Sequence, residues 1–223
     1  MLFRSGNPAR WRGLRIASGA EGSGTRAAFR DFEQAVGLKP EDNQHIDMTY
    51  SEAVSGLRKN QLDVAVFVAP LNAPYLLSAY FEPAIRIQPL DHTEAISRLL
   101  DNGTAVTLPA GAVSLDPVIP FATRLQLALQ ARLAVSGDLH PALVNRLTMA
   151  AIEIHSGRNI LTDHGKFPSV DGAGMPVNDA ARQLILNGPT TWHDWLPYWM
   201  AAQVNRLFLL MLPILFILLP LLR

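Results

Sequence analysis

Two rhythms of apolar residues alternate along the first half of this chain. Short apolar runs are separated by stretches in which apolar residues recur every three or four positions. Arg15 to Ser18 predicts a strand, Thr25 to Val36 a helix closed by Gly37, and Ile46 to Thr49 a second strand. Ser51 is placed to cap the next helix, which carries Val54 and Leu57 on one face and Arg58 and Lys59 in its last turn. Leu62 to Val68 is almost continuously apolar, the pattern of a buried parallel strand, and Pro70 ends it. Asn72 to Tyr80 then predicts a helix, Ile85 to Pro89 a strand, His92 to Leu100 a helix and Thr104 to Leu108 a strand. Strands separated by helices imply right-handed βαβ crossovers, a parallel sheet and an α/β fold.

After Pro109 the rhythm changes. Leu125 to Val135 is apolar enough for a strand. Asp138-Leu139-His140-Pro141 opens an amphipathic helix through Ile154, with Leu143, Leu147, Ala150, Ala151 and Ile154 as its apolar stripe. Gly157 to Val177 is rich in Gly, Pro and Asp and predicts loop. Asn178 to Leu186 predicts a helix that stops at Asn187-Gly188-Pro189. The expected organisation is an N-terminal extension (1–12), an α/β lobe (13–108), a partial second lobe with a helical segment (109–190), and an aromatic and apolar C-terminal segment (191–223).

That last segment changes the class. Leu207 to Leu222 is sixteen residues without a charge or a hydrogen-bonding side chain, bracketed by Arg206 and Arg223. A helix of that length spans about 24 Å, against a hydrocarbon core of about 30 Å. Extension back through Met200-Ala201-Ala202 reaches across, with Arg206 snorkelling to the headgroups. Trp192, Trp195, Tyr198 and Trp199 lie where an interfacial aromatic belt would. The sequence therefore predicts a C-terminal transmembrane helix, with a buried core helix or an interfacial helix as alternatives. Met1 to Gly13 has three arginines and no apolar stretch, and does not read as a secretory signal.

Composition narrows the partners. The chain has 223 residues, 19 basic and 19 acidic side chains, and no cysteine. Zero net charge without a Lys/Arg run argues against nucleic acid. The six histidines include no metal-binding pair, and no nucleophile–base or paired-carboxylate arrangement stands out. Neither a metal, a cofactor nor an enzymatic activity is expected. His140 and His155 fall at helix ends. Asp63, just before its apolar run, reads as a strand-edge or turn residue.

The chemistry lies in Gly22-Ser23-Gly24-Thr25-Arg26, between a strand and a helix start. The first helical N–H groups have no intrahelical partner, and the helix dipole adds about half a positive charge there. Gly22 and Gly24 let the backbone approach a ligand closely, and Ser23 and Thr25 offer hydroxyls to an oxyanion. A plain helix cap with glycines for the turn fits the same residues. Arg26 is placed to pair with a ligand, or with Glu21 or Asp31. The segment is neither a Gly-x-Ser-x-Gly elbow nor a nucleotide P-loop.

Several stretches together carry a resemblance. Arg12-Gly13-Leu14-Arg15-Ile16-Ala17 before Glu21-Gly22-Ser23-Gly24-Thr25-Arg26 looks like the second-lobe opening of the TAXI family of TRAP transporter solute-binding proteins. Glu52-Ala53 through Leu57 to Asp63-Val64-Ala65 matches in order. So does Ser136 through Leu143, with Ala150 through His155. Phe167-Pro168, Gly188-Pro189, Leu196-Pro197-Tyr198-Trp199 and Asn205-Arg206-Leu207 resemble a membrane-tethered subgroup. The likeness spans nearly the whole chain.

The resemblance implies a periplasmic-binding-protein type II-like fold, here one complete lobe plus part of the other. It implies a receptor at the bacterial inner membrane, facing the periplasm, that captures a small organic acid for TRAP transporter membrane subunits. Gly22, Ser23, Gly24 and Thr25 would bind the ligand carboxylate. The loop Ala69 to Pro74 would lie near the cleft, with Asn72 as a polar contact. The family's first-lobe half, with its own glycine-rich loop, does not precede Met1, so an N-terminally truncated member is expected. A single open lobe implies millimolar or no affinity for organic acids. Two other readings stay open: an inorganic oxyanion receptor of the phosphate-binding type, and a membrane-anchored scaffold or sensor with a vestigial cleft.

Overall fold

The computed structural model describes residues 6–171 and 174–189, together with Met200, Gln203, Val204, Leu207, Leu210 and Met211. The chain is a mixed α/β protein that divides into two compact units, Met1–Ala131 and Arg132–Arg223. The first contains β1 (Arg15–Ala17), α1 (Gly24–Val36), β2 (Gln44–His45), α2 (Tyr50–Arg58), β3 (Val64–Ala65) and α3 (Pro74–Tyr80). It continues through α4 (Thr93–Leu99), β4 (Gly103–Leu108), β5 (Ser114–Leu115), β6 (Val118–Ile119) and β7 (Arg124–Leu129). The second contains α5 (Pro141–His155) and α6 (Asp179–Asn187).

The sheet that positions the Gly22-Ser23-Gly24-Thr25 turn has three parallel strands in the order β2-β1-β3. Ile16 pairs with His45 on one side and Val64 on the other, so β1 is central. Neighbouring residues of a strand point to opposite faces, and β1 uses both. Ile16 joins Trp11, Phe29, Phe32, Leu38 and Ile96 on the face that α1 covers. Ala17 joins Ala53 and Leu62 on the face that α2 covers. The α1 side is held by aromatic packing, with Phe29 and Phe32 stacked at 5.7 Å and Trp11 tilted against Phe32 at 6.1 Å. Spacing Thr25–Phe29–Phe32 along one helix face is what lets α1 bury this stripe. At the foot of the sheet, Asp63 accepts from the Arg15 backbone N–H at 2.9 Å and from its guanidinium Nε and Nη2 at 3.0 Å each. Asp63 thereby fastens the start of β3 to the start of β1.

Several sequence expectations change. Leu62 to Val68 forms a parallel strand only at Val64–Ala65, as an edge strand, half-buried with Val68 exposed. Among the described residues no further strand covers that edge, so the apolar run serves face packing rather than full burial. Ile85 to Pro89 forms no strand. Thr104 to Leu108 does form one, but it pairs antiparallel with β7 in a separate sheet, from Gly103↔Leu129 to Leu108↔Arg124. Local periodicity marks a strand without naming its partner, and β7 returns from a connection containing its own β5–β6 pair to supply one. The apolar run from Leu125 to Val135 ends as strand at Leu129.

The second unit differs from its expected packing as well. In α5 the buried face is Val144, Asn145 and Thr148, whereas Leu143, Leu147 and Ile154 of the apolar stripe are exposed. α5 packs on α6, which is capped by Asn178 and stops at Gly188, where its sequence predicts the stop. Among the described residues no helix is long and apolar enough to cross a membrane. Most of the predicted transmembrane segment Leu207–Leu222 lies outside the described residues.

Candidate functional site: the start of helix α1

β1 ends at Ala17, and the chain turns through Ser18 to Ser23 into α1. Gly19 can only be glycine here. A Cβ on it would sit 2.6 Å from Ser23 Oγ and 3.2 Å from Thr25 Cβ, so the loop folds directly onto the first turn. Gly22 turns the chain with φ +79°, the left-handed region that favours glycine. Ser23 is the cap, its hydroxyl accepting from the Arg26 backbone N–H at 3.2 Å, while the Ser23 carbonyl accepts from Ala27 N–H at 3.1 Å. Among the described residues the N–H groups of Gly24 and Thr25 donate no hydrogen bond. They are two adjacent donors at the positive end of a thirteen-residue helix. Nothing stands in front of Gly24: a Cβ there would meet no atom within 4 Å.

The other predicted residues are distributed around this turn. Thr25 is 3 % exposed, and its hydroxyl is hydrogen-bonded to the Tyr50 hydroxyl rather than free. Arg26 is also buried, at 7 % exposure. Its Nε donates to the Gly19 carbonyl at 3.2 Å and its Nη2 pairs with Asp47, not with Glu21 or Asp31. The guanidinium therefore locks the loop from behind instead of facing outward. Asn72 is exposed in the loop between β3 and α3.

Topology brings that loop to the same end of the sheet. β1 and β3 are adjacent and parallel, and the chain leaves β1 toward α1 and β3 toward α3. With the order β2-β1-β3, the gap between β1 and β3 is where successive connections diverge. Ligands of open α/β sheets bind at such a point. Aromatic contacts span it: Tyr50 stacks on Tyr75 at 4.8 Å, and Phe67 lies 5.7 Å from Tyr50 and 6.1 Å from Tyr75. Desolvation, then the neighbouring Tyr50, holds the Tyr75 phenol above its usual range. Through Thr25, Tyr50 and Tyr75 the start of α3 is tied to the start of α1.

Three features escape sequence reasoning. Ser18 is 0 % exposed and its hydroxyl has no hydrogen-bond partner. It is the first residue after β1, in the loop that leads to α1. Asp47 and Tyr50 come from the β2–α2 connection and the start of α2, and Phe67 and Tyr75 from the β3–α3 connection and the start of α3, so no spacing in the sequence joins them to the loop. Glu33, on the second turn after Arg26, meets His45 of β2, with Oε1 3.2 Å from Nε2. Burial raises the Glu33 carboxyl to about 6, opposed by Arg26 and Arg30. Burial, then the same two arginines, lowers the His45 imidazole. Both shifts disfavour charge, so at neutral pH this contact sets a carboxylate beside a neutral imidazole and is not an ion pair.

Among the described residues no group of three or more His, Asp or Glu side chains converges as a metal site. A polar concavity lined by Glu94, Ser97, Arg98 and residues 103–105 shares no residue with the α1 site. No protein-family model matches the chain, and no curated protein sequence matches it.

Proposed function

We propose that the chain is the solute-binding component of a TRAP-type secondary transporter, built on a periplasmic-binding-protein type II-like lobe. Its start of α1 takes the carboxylate of a small organic acid. In this reading Leu207–Leu222 anchors it in the bacterial inner membrane, with the α/β part facing the periplasm. One observation carries the binding step: the N–H groups of Gly24 and Thr25 donate no hydrogen bond, and Gly24 is exposed with open space beside its Cα, at the divergence point of a parallel sheet. A carboxylate has two oxygens for those two donors, and the dipole favours its charge. Asn72 lies on the facing connection as a further polar contact.

Magnitudes set the expected affinity. Two or three charge-assisted hydrogen bonds are worth about 1.5–3 kcal/mol each, and association costs at least about 4 kcal/mol. The balance leaves at most about 5 kcal/mol, a Kd on the order of 1 mM or weaker. The test is a titration of the full chain with acetate, succinate and inorganic phosphate, following the amide resonances of Gly24 and Thr25. Organic acids should shift both amides and saturate in the millimolar range. Gly24→Ala should weaken this about tenfold or more without lowering Tm, because helical Cβ atoms tilt toward the N-terminus and the methyl would cover the donors. Unmoved amides at tens of millimolar acid would overturn the reading, and tighter binding of phosphate would transfer it to inorganic oxyanions.

A further inference from the structure

The α1 site has two halves of different chemistry. One is the pair of free N–H donors at Gly24 and Thr25, with the orphaned, fully buried hydroxyl of Ser18 in the loop that leads to them. A buried hydroxyl without a partner costs free energy unless something reaches it. The other half is the group Tyr50, Phe67 and Tyr75, joined to the first half by the Thr25–Tyr50 hydrogen bond. Phe67 leans on the Ala17–Ala53–Leu62 cluster, but all three rings are only half-buried. The rings lie against one another and stay partly exposed, an aromatic group next to the start of α1.

Charge narrows what can lie across the two. Between Ser18 and Arg26 the one cation is Arg26, and its guanidinium is already held by Asp47 and the Gly19 carbonyl. The loop also carries the exposed Glu21. A second carboxylate on the ligand would find Asp47 and Glu21 nearby in place of a free cation. An uncharged, flat remainder would instead meet rings that favour offset stacking.

We propose that the acid received here is an arylcarboxylate, its single carboxylate on the Gly24 and Thr25 donors and its ring against Tyr50 and Tyr75. This rests on the reading of the α1 start as a carboxylate site and specifies its ligand class.

Ligand-observed NMR on the full chain tests it with phenylacetate, acetate, succinate and the uncharged benzyl alcohol. Phenylacetate should bind about tenfold tighter than acetate, the gain of one stacked ring with its buried area. Tyr75→Ala should erase that advantage, leaving phenylacetate no tighter than acetate, and Tyr75→Phe should keep it. Phenylacetate no tighter than acetate, or succinate the tightest, with acid binding still lost in Gly24→Ala, overturns the ligand class and leaves the carboxylate site standing. Benzyl alcohol binding as tightly as phenylacetate also overturns it, since the carboxylate would then contribute nothing. Absence of binding by every acid removes both readings.

Discussion

Glu33 is 5 % exposed between α1 and β2, and its environment makes the fold sensitive to pH. Its carboxyl titrates at about 6 in the fold, against an ordinary 4.5. The folded state thus prefers the protonated form. The stability this group contributes is complete below about pH 4.5 and is lost as pH rises through about 6, on the order of 2 kcal/mol. His45 works in the opposite sense: its contribution is present above 6.5 and is lost as pH falls through its lowered value. Glu33→Gln removes the first effect alone. Denaturation at pH 5 and pH 7.5 should show the variant gaining most over wild type at the higher pH. Identical pH dependence in the two proteins would contradict this account. A second residue-scale case concerns the cap of α2. Thr49, not the expected Ser51, holds it: Thr49 Oγ1 accepts from Glu52 N–H at 3.4 Å, and Glu52 Oε2 accepts from Thr49 N–H at 2.8 Å. Both residues suit a cap by type, and only the reciprocal bond with Glu52 distinguishes them. Thr49→Ala should cost about 1 kcal/mol in thermal denaturation, and Ser51→Ala less than about 0.5 kcal/mol. The reverse ranking would refute the assignment.

At the scale of elements, α1 is where local signals and tertiary demand agree. Ser23 caps it, Gly37 closes it in a left-handed conformation, and Phe29 and Phe32 fall on one face. Each of these is set by residues close in sequence, so the helix was readable to within one residue. The site it opens was readable in part. Gly22, Ser23, Gly24 and Thr25 are contiguous and announce a loop-to-helix turn. Ser18 gives no such signal, since a serine ending a strand is ordinary until its hydroxyl proves to be buried and unbonded. Helix α5 shows the converse. Its stripe of Leu143, Leu147 and Ile154 has the right period, yet the buried face is rotated to Val144, Asn145 and Thr148. Periodicity locates a helix, but the neighbour chooses which face is covered, and Thr148 meets burial by donating its hydroxyl to the Val144 carbonyl at 2.8 Å.

For the molecule as a whole, the division between Ala131 and Arg132 follows the pairing of β4 with β7, which keeps residues 109–131 with the first unit. The connection after it is exposed at Leu133 through Asp138 and has no regular structure. Exposed backbone without ladder or helix bonds is where proteases enter first. Brief thermolysin treatment should cut between Ala131 and Leu139 before any site within β1–β3. Mass spectrometry of the first fragments would decide, and initial cleavage inside the three-stranded sheet would contradict the division. The sequence by itself determined the start and stop of α1, the stop of α6 and the contiguous Gly22–Thr25 turn, because each depends on residues a few positions apart. Tertiary structure alone decided the antiparallel pairing of β4, the capture of Arg26 by Asp47, the burial of Ser18 and the meeting of Tyr50, Phe67 and Tyr75. Those contacts join residues that chain neighbours cannot specify: partners across a sheet are chosen by the free energy of burying whole faces, and that is fixed only when the faces meet.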